Sequence, residues 1–151
     1  MSEHLLTTAD DTRAFGETVA GGLRAGDLVI LTGGLGAGKT TLTQGFAAGL
    51  GVRGPITSPT FVIARVHPSL VGGPALVHVD AYRLGGLAEL DDLDLDTSLE
   101  ESVTVVEWGH GVAEELSDDR LEIILDADPA TESRTVTVTG HGERWKAGLP
   151  C

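Results

Sequence analysis

The chain has 151 residues, 41% hydrophobic and 22% charged, which suits one globular domain over residues 1–151 with length enough for a sheet covered by helices. Its 23 acidic residues against 10 basic ones leave a net charge of -13, a field that repels phosphate backbones and excludes direct non-specific grip on nucleic acid. The single cysteine, Cys151, excludes a disulfide framework, and "MSEHLLTTADD" lacks the basic segment and apolar core of a signal peptide. No apolar run approaches the roughly 20 residues of a membrane span, so the expected setting is the cytoplasm, with no membrane partner.

Residues 8–26, "TADDTRAFGETVAGGLRAG", carry Ala14, Phe15, Val19, Ala20 and Leu23 at helical spacing, with Thr8 as N-cap and Gly26 as the stop. "DLVILT" is a continuous apolar run, the pattern of a strand buried on both faces. After a glycine-rich loop, "TTLTQGFAAGL" reads as a helix that ends at Gly49 or Gly51. Pro55 and Pro59 in "GVRGPITSPT" break any helix there. "FVIARVH" and "ALVHVD" then read as an antiparallel strand pair joined by "PSLVGG". The acidic "AELDDLDLDTSLEE" reads as a short helix and loop, "VTVVEW" as a buried strand and "GHGVAEEL" as a short helix. "RLEIILD" and "RTVTVTG" close the chain as strands. Strands and helices interleave, so the expected fold is α/β: a P-loop NTPase-like sandwich with a mixed parallel and antiparallel central sheet.

Between "DLVILT" and the helix, Gly33, four residues, then Gly38, Lys39 and Thr40 match the G-x-x-x-x-G-K-[ST] spacing of a phosphate-binding loop. Such a loop wraps phosphates in backbone N–H groups, which side chains would obstruct, so Gly33, Gly34, Gly36 and Gly38 suit it and Leu35 and Ala37 lie between them. The following helix points its positive end at the phosphates. Lys39 is placed to meet the β- and γ-phosphates, the Thr40 hydroxyl to ligate Mg²⁺, and Thr41 follows in the same turn.

The metal also needs an acid at the end of a neighbouring strand. Asp80, closing "LVHVD", and Glu107, closing "VTVVE", both stand in that position, and their spacing does not say which does what. Thr60 in "TSPT", with Ser58 beside it, stands where a switch threonine could sense the γ-phosphate. "DLDLD" is not a calcium loop, because Thr97 occupies the glycine position and Val103 the terminal glutamate position. His78 in H-x-D reads as structural, since Mg²⁺ prefers oxygen ligands. The guanine-reading N/T-K-x-D motif cannot exist here, as the only lysines are Lys39 and Lys146; adenine is favoured by elimination. The eight arginines are scattered, and none stands in an obvious position to reach the γ-phosphate.

With "GGLGAGKTT", "TSPTF", "HVDAYRL" and "VVEWG" in that order, the chain resembles the bacterial TsaE (YjeE) family from about Thr8 to Thr139. The resemblance implies a compact P-loop fold that binds ATP with Mg²⁺ and works beside the TsaD and TsaB proteins. Those transfer a threonylcarbamoyl group to N6 of adenosine 37 in tRNAs that read ANN codons. It further implies that Thr40 and Glu107 hold the metal, that Asp80 is a second essential acid, and that Trp108 lies close to the nucleotide. Residues around Thr8 and Ala9 are implied to touch the adenine. The chain departs from the family at Gly34, where members commonly carry aspartate. The function expected is a slow, partner-stimulated ATPase that meets tRNA only through its partners. A small-molecule kinase and a non-catalytic ATP switch are the alternatives.

Overall fold

The computed structural model describes residues 2–33, 38–52, 54, 64–80, 101–107, 118–128, 130, 131 and 133–150, with residues 64 and 80 described by backbone alone. In chain order the elements are β1 (Ser2–Leu6), α1 (Ala9–Ala20), β2 (Leu28–Thr32), α2 (Lys39–Leu50), β3 (Ala64–His67), β4 (Ala75–Asp80), β5 (Ser102–Glu107), β6 (Arg120–Ala127) and β7 (Arg134–His141), followed by a 3₁₀ turn at Glu143–Trp145. The strands form one seven-stranded sheet in the order β1-β7-β6-β2-β5-β4-β3. Its centre, β6-β2-β5-β4, is parallel, and the pairs β1–β7, β6–β7 and β3–β4 are antiparallel. The mixed sheet expected from the interleaved pattern is present.

β2 sits in the middle because its sequence tolerates burial on both faces: Leu28, Val29, Ile30 and Leu31 are all at most 1% exposed. Val29 and Leu31 join a cluster with Val103 and Val105 of β5, Leu121, Ile123 and Leu125 of β6, and Phe15, Val19, Leu42 and Phe46 of the two helices. Leu28, Ile30, Val77, Val79 and Val106 are also buried but fall outside that cluster, on the opposite face that strand alternation assigns them. The helices therefore cover one face of the parallel centre.

α1 and α2 run side by side through a glycine contact. A methyl group added at Gly16 would lie 2.9 Å from the Cα of Gly45, and one added at Gly45 would lie 2.9 Å from the Cα of Gly16. No side chain fits between the two backbones there. This approach sets Thr12 of α1 beside the start of α2, since a methyl on Gly38 would come within 3.8 Å of Thr12 Cγ2. The first turns of both helices thus lie at the same end of the sheet.

Two boundaries differ from the sequence reading. α1 ends at Ala20, with the Gly21 amide bonded to Glu17 O, rather than running to Gly26. Gly26 instead adopts φ 96° and donates its N–H to Ser102 O at 3.0 Å, which turns the chain into β2. The second difference is β1, which the sequence reading did not assign. Its buried-side positions are Ser2, His4 and Leu6, two of them polar, while Leu5 points outward at 68% exposure. The alternation of a half-buried strand is therefore inverted at Leu5, and pairing with β7 rather than hydrophobic pattern defines the strand.

Candidate nucleotide site

α1 and α2 begin near one another but are finished in opposite ways. Thr8 caps α1, accepting from the Asp11 amide at 3.0 Å, and Asp10 and Asp11 occupy the first turn. Asp11 accepts in return from the Thr7 hydroxyl at 2.8 Å, and this hydroxyl bond above all holds the Asp11 carboxyl below its ordinary range. α2 has no side-chain cap and no acid in its first turn. A first turn with neither cap nor acid presents its amides and positive dipole end in the way that suits an anion.

Gly38 begins α2 with φ 105°, a backbone state that L side chains rarely adopt. It is also hemmed in: a methyl added there would lie 2.8 Å from Nε and 3.0 Å from Cδ of Arg134. Two independent constraints hold this position to glycine. Arg134 opens β7 opposite Leu6 of β1 and Ala127 of β6, so the sheet register delivers its guanidinium to the mouth of the loop. The sequence reading placed no arginine near the phosphates. An arginine does stand beside the loop, and only the strand register reveals it.

Lys39 follows immediately and is 7% exposed. Its Nζ donates to Gly33 O at 2.7 Å, across the span of the loop. The backbone carbonyl of Lys39 accepts from the buried Thr43 hydroxyl at 2.9 Å, which fixes the first turn from below. Thr40 and Thr41 complete that turn, both partly exposed.

Glu107 ends β5, with Leu31 of β2 as register partner on one side and Asp80 of β4 on the other. The strand from which the loop departs is thus its immediate neighbour, at the carboxyl edge where open α/β sheets bind ligands. Glu107 is 3% exposed, and its Oε2 lies 3.0 Å from Nε2 of His78, itself fully buried. His78 is thus in direct contact with the carboxylate that ends β5. The signal for this was its place two residues before Asp80. Oε1 of Glu107 makes no hydrogen bond among the described residues.

A buried carboxylate with one oxygen that makes no hydrogen bond among the described residues, and a partly exposed hydroxyl at Thr40, are hard oxygen donors of the kind Mg²⁺ takes. Of the other residues singled out from the sequence, Gly34, Leu35, Gly36, Ala37, Ser58, Thr60 and Trp108 lie outside the described residues, and Asp80 is placed by its backbone alone.

A central buried strand that leads through a glycine-rich stretch into an uncapped helix, within a mixed seven-stranded sheet, defines the P-loop-like α/β class of fold. The family model for threonylcarbamoyl adenosine biosynthesis protein TsaE matches residues 6–136, and the chain belongs to the TsaE family. It is 67% identical over 137 residues to the tRNA threonylcarbamoyladenosine biosynthesis protein TsaE of Streptomyces coelicolor, covering 88% of this chain and 93% of that one. It is 38% identical over 138 residues to the protein of the same name from Bacillus subtilis, covering 91% and 84%. The crystal structure of Bacillus subtilis YdiB is similar in fold, with a TM-score of 0.76 at 31% identity over 97% of this chain and 89% of that one.

Proposed function

We propose that this chain is the Mg²⁺-dependent ATP-binding and ATP-hydrolysing subunit for threonylcarbamoyl modification of adenosine 37 in tRNAs that read ANN codons, acting with TsaD and TsaB. The observation that carries the reading is the uncapped first turn of α2, with buried Lys39 behind Gly38 and buried Glu107 on the strand beside the loop. A buried lysine and a buried carboxylate at one sheet edge carry a desolvation cost that their bonds to Gly33 O and His78 offset in part and a charged ligand would offset further.

In this reading the α2 amides and Lys39 hold the phosphates, and Lys39 exchanges its bond to Gly33 O for phosphate oxygens. Arg134 adds positive charge at the loop mouth. Thr40 and Glu107 would hold Mg²⁺, which when bound neutralises charge on the β- and γ-phosphates. Asp80, level with Glu107 in the sheet, is the second acid and orients the attacking water or the switch. Thr60 and Trp108 complete the nucleotide contacts, and adenine is the base. The net charge of -13 leaves tRNA to the partner proteins.

Calorimetric titration with ATP, with and without Mg²⁺, followed by ATP turnover alone, with tRNA and with TsaD–TsaB, tests this reading. Mg²⁺-enhanced ATP binding and turnover stimulated by the partner proteins are expected. Absence of ATP binding would overturn it.

A further inference from the structure

The buried pair His78–Glu107 does more than fill the core. Nε2 of His78 lies 3.0 Å from Glu107 Oε2, and Nδ1 is buried with no hydrogen-bond partner among the described residues. These facts fix the roles of the two nitrogens. A proton on Nδ1 would be an orphaned buried donor, and a bare Nε2 would then face a carboxylate oxygen, lone pair to lone pair. A proton on Nε2 alone removes both penalties, so His78 donates and Glu107 accepts.

We propose that His78 is a positioning residue for Glu107: its Nε2–H holds Oε2 and so turns Oε1 toward the cation that accompanies the nucleotide. The inference rests on the reading of Glu107 as a metal-site carboxylate. In the β4–β5 register His78 pairs with Val105, one alternation behind Glu107, so the hydrogen bond runs diagonally between strands. A glutamate has three rotatable bonds, and a bond from a fully buried ring that is itself locked in the sheet removes most of that freedom. The donor type matters as well. A lysine or arginine in the same place would hold the carboxylate but also set a full positive charge against an incoming cation. An imidazole N–H orients without that opposition. A purely structural pair would stabilise the fold without affecting the metal, and this difference is measurable.

The test compares the full chain with His78→Leu, which removes the donor, and His78→Gln, whose amide nitrogen reaches about as far as Nε2. For each, thermal stability, ATP affinity without Mg²⁺, and the Mg²⁺ concentration that half-saturates the Mg²⁺-dependent gain in ATP affinity are measured. Ring ¹⁵N shifts of His78 are recorded on the metal-free wild type. The expected result is the Nε2–H tautomer, unchanged Mg²⁺-free ATP binding in His78→Leu, a requirement for about 10–100-fold more Mg²⁺ in that variant, and recovery in His78→Gln. An Nδ1–H tautomer overturns the proposal. So does an unchanged Mg²⁺ requirement in His78→Leu, or a folded His78→Gln that fails to recover. If His78→Leu does not fold, the tautomer and the His78→Gln titration decide. Wild-type protein that binds ATP without any Mg²⁺ effect overturns the metal reading of Glu107 itself, a result distinct from a variant that leaves a real Mg²⁺ effect untouched.

Discussion

Arg144 grips both carboxylate oxygens of Asp27, a residue 117 positions earlier, at 3.0 Å through Nε and 3.1 Å through Nη2. The same guanidinium donates to Gly22 O at 2.8 Å and lies 4.1 Å from the ring centroid of buried Trp145. Asp27 is 5% exposed and stands just before β2, at the end of the sheet away from the loop. Removing the guanidinium leaves a buried carboxylate whose remaining hydrogen bond among the described residues is from the Arg24 amide, so Arg144→Leu is expected to lower unfolding free energy by about 3 kcal/mol. Lys146→Ala, which breaks an exposed pair with Glu143, should change it by less than about 1 kcal/mol. Urea unfolding of both variants checks the contrast, and ATP affinity should be unchanged in each.

Lys39→Ala should abolish tight ATP binding while leaving the fold intact. Lys39 supplies a charge-assisted donor to the phosphates, and in the free chain its ammonium donates to the Gly33 carbonyl. A loss of about 2–3 kcal/mol, roughly 30- to 150-fold in affinity, is the expected minimum. Calorimetry gives the affinity and circular dichroism the fold; affinity near that of the wild type would remove Lys39 from the site.

How much of this site was legible beforehand divides along a physical line. The loop spacing, the buried strand before it, the helix after it and the two strand-end acids are local patterns, and local patterns survive in one dimension. Thr8 as the cap of α1 was readable for the same reason. Arg134 was not, because nothing near residue 134 marks it; β7 carries it to Gly38 through pairing with β1 and β6. Nor was the role of Asp27, which stands before an apolar run and meets Arg144 only through the fold. The end of α1 escaped for a third reason: glycines at 21, 22 and 26 all offer stops, and Gly26 is drawn away from the helix by its bond to Ser102 O of β5.

Glu107→Gln should reduce Mg²⁺-dependent hydrolysis more than nucleotide binding, since the α2 amides and Lys39 still hold the phosphates. A fall of about 100-fold in turnover with less than about 10-fold in ATP affinity is expected. Asp80→Asn should show the same separation if its place opposite Glu107 makes it the second acid. Single-turnover kinetics beside calorimetry distinguish the two effects. Both variants turning over ATP at the wild-type rate would mean that neither carboxylate serves the metal.

ATP turnover by the isolated chain should be slow and should rise with TsaD–TsaB but not with bare tRNA. Arg134 is engaged beside Gly38 at the loop mouth, so it does not remove the need for a group supplied in trans, worth about 10³–10⁵ in rate in this class of fold. Stimulation by tRNA alone, or fast turnover by the chain alone, would contradict the mechanism.

Asp11 predicts a pH effect with a definite sign. The Thr7 hydroxyl, more than any other group, draws its carboxyl below the ordinary 3.8; loss of solvation is the next largest effect and opposes it, and the Thr8 hydroxyl and the Thr7 and Thr8 amides add smaller help. A depressed folded value means that the contribution to stability is present above pH 3.8 and is lost as pH falls through the folded value. Carbon-detected titration should give a midpoint below 3.8 for Asp11, and Thr7→Ala should move it back toward that figure.

The glycine contact between α1 and α2 bears on how this sequence can change over time. Gly16 and Gly45 face each other so closely that a side chain on either meets main chain on the other, and main chain has no alternative rotamer. Compensation by a smaller partner is closed off, because both partners are already glycine. Neither position can therefore change first, and a random library screened for ATP binding should return both as glycine while the outward faces of the same helices diversify. The two helices would then be inherited as a unit, with Thr12 on one and Gly38 on the other kept in step by a contact of main chain with main chain.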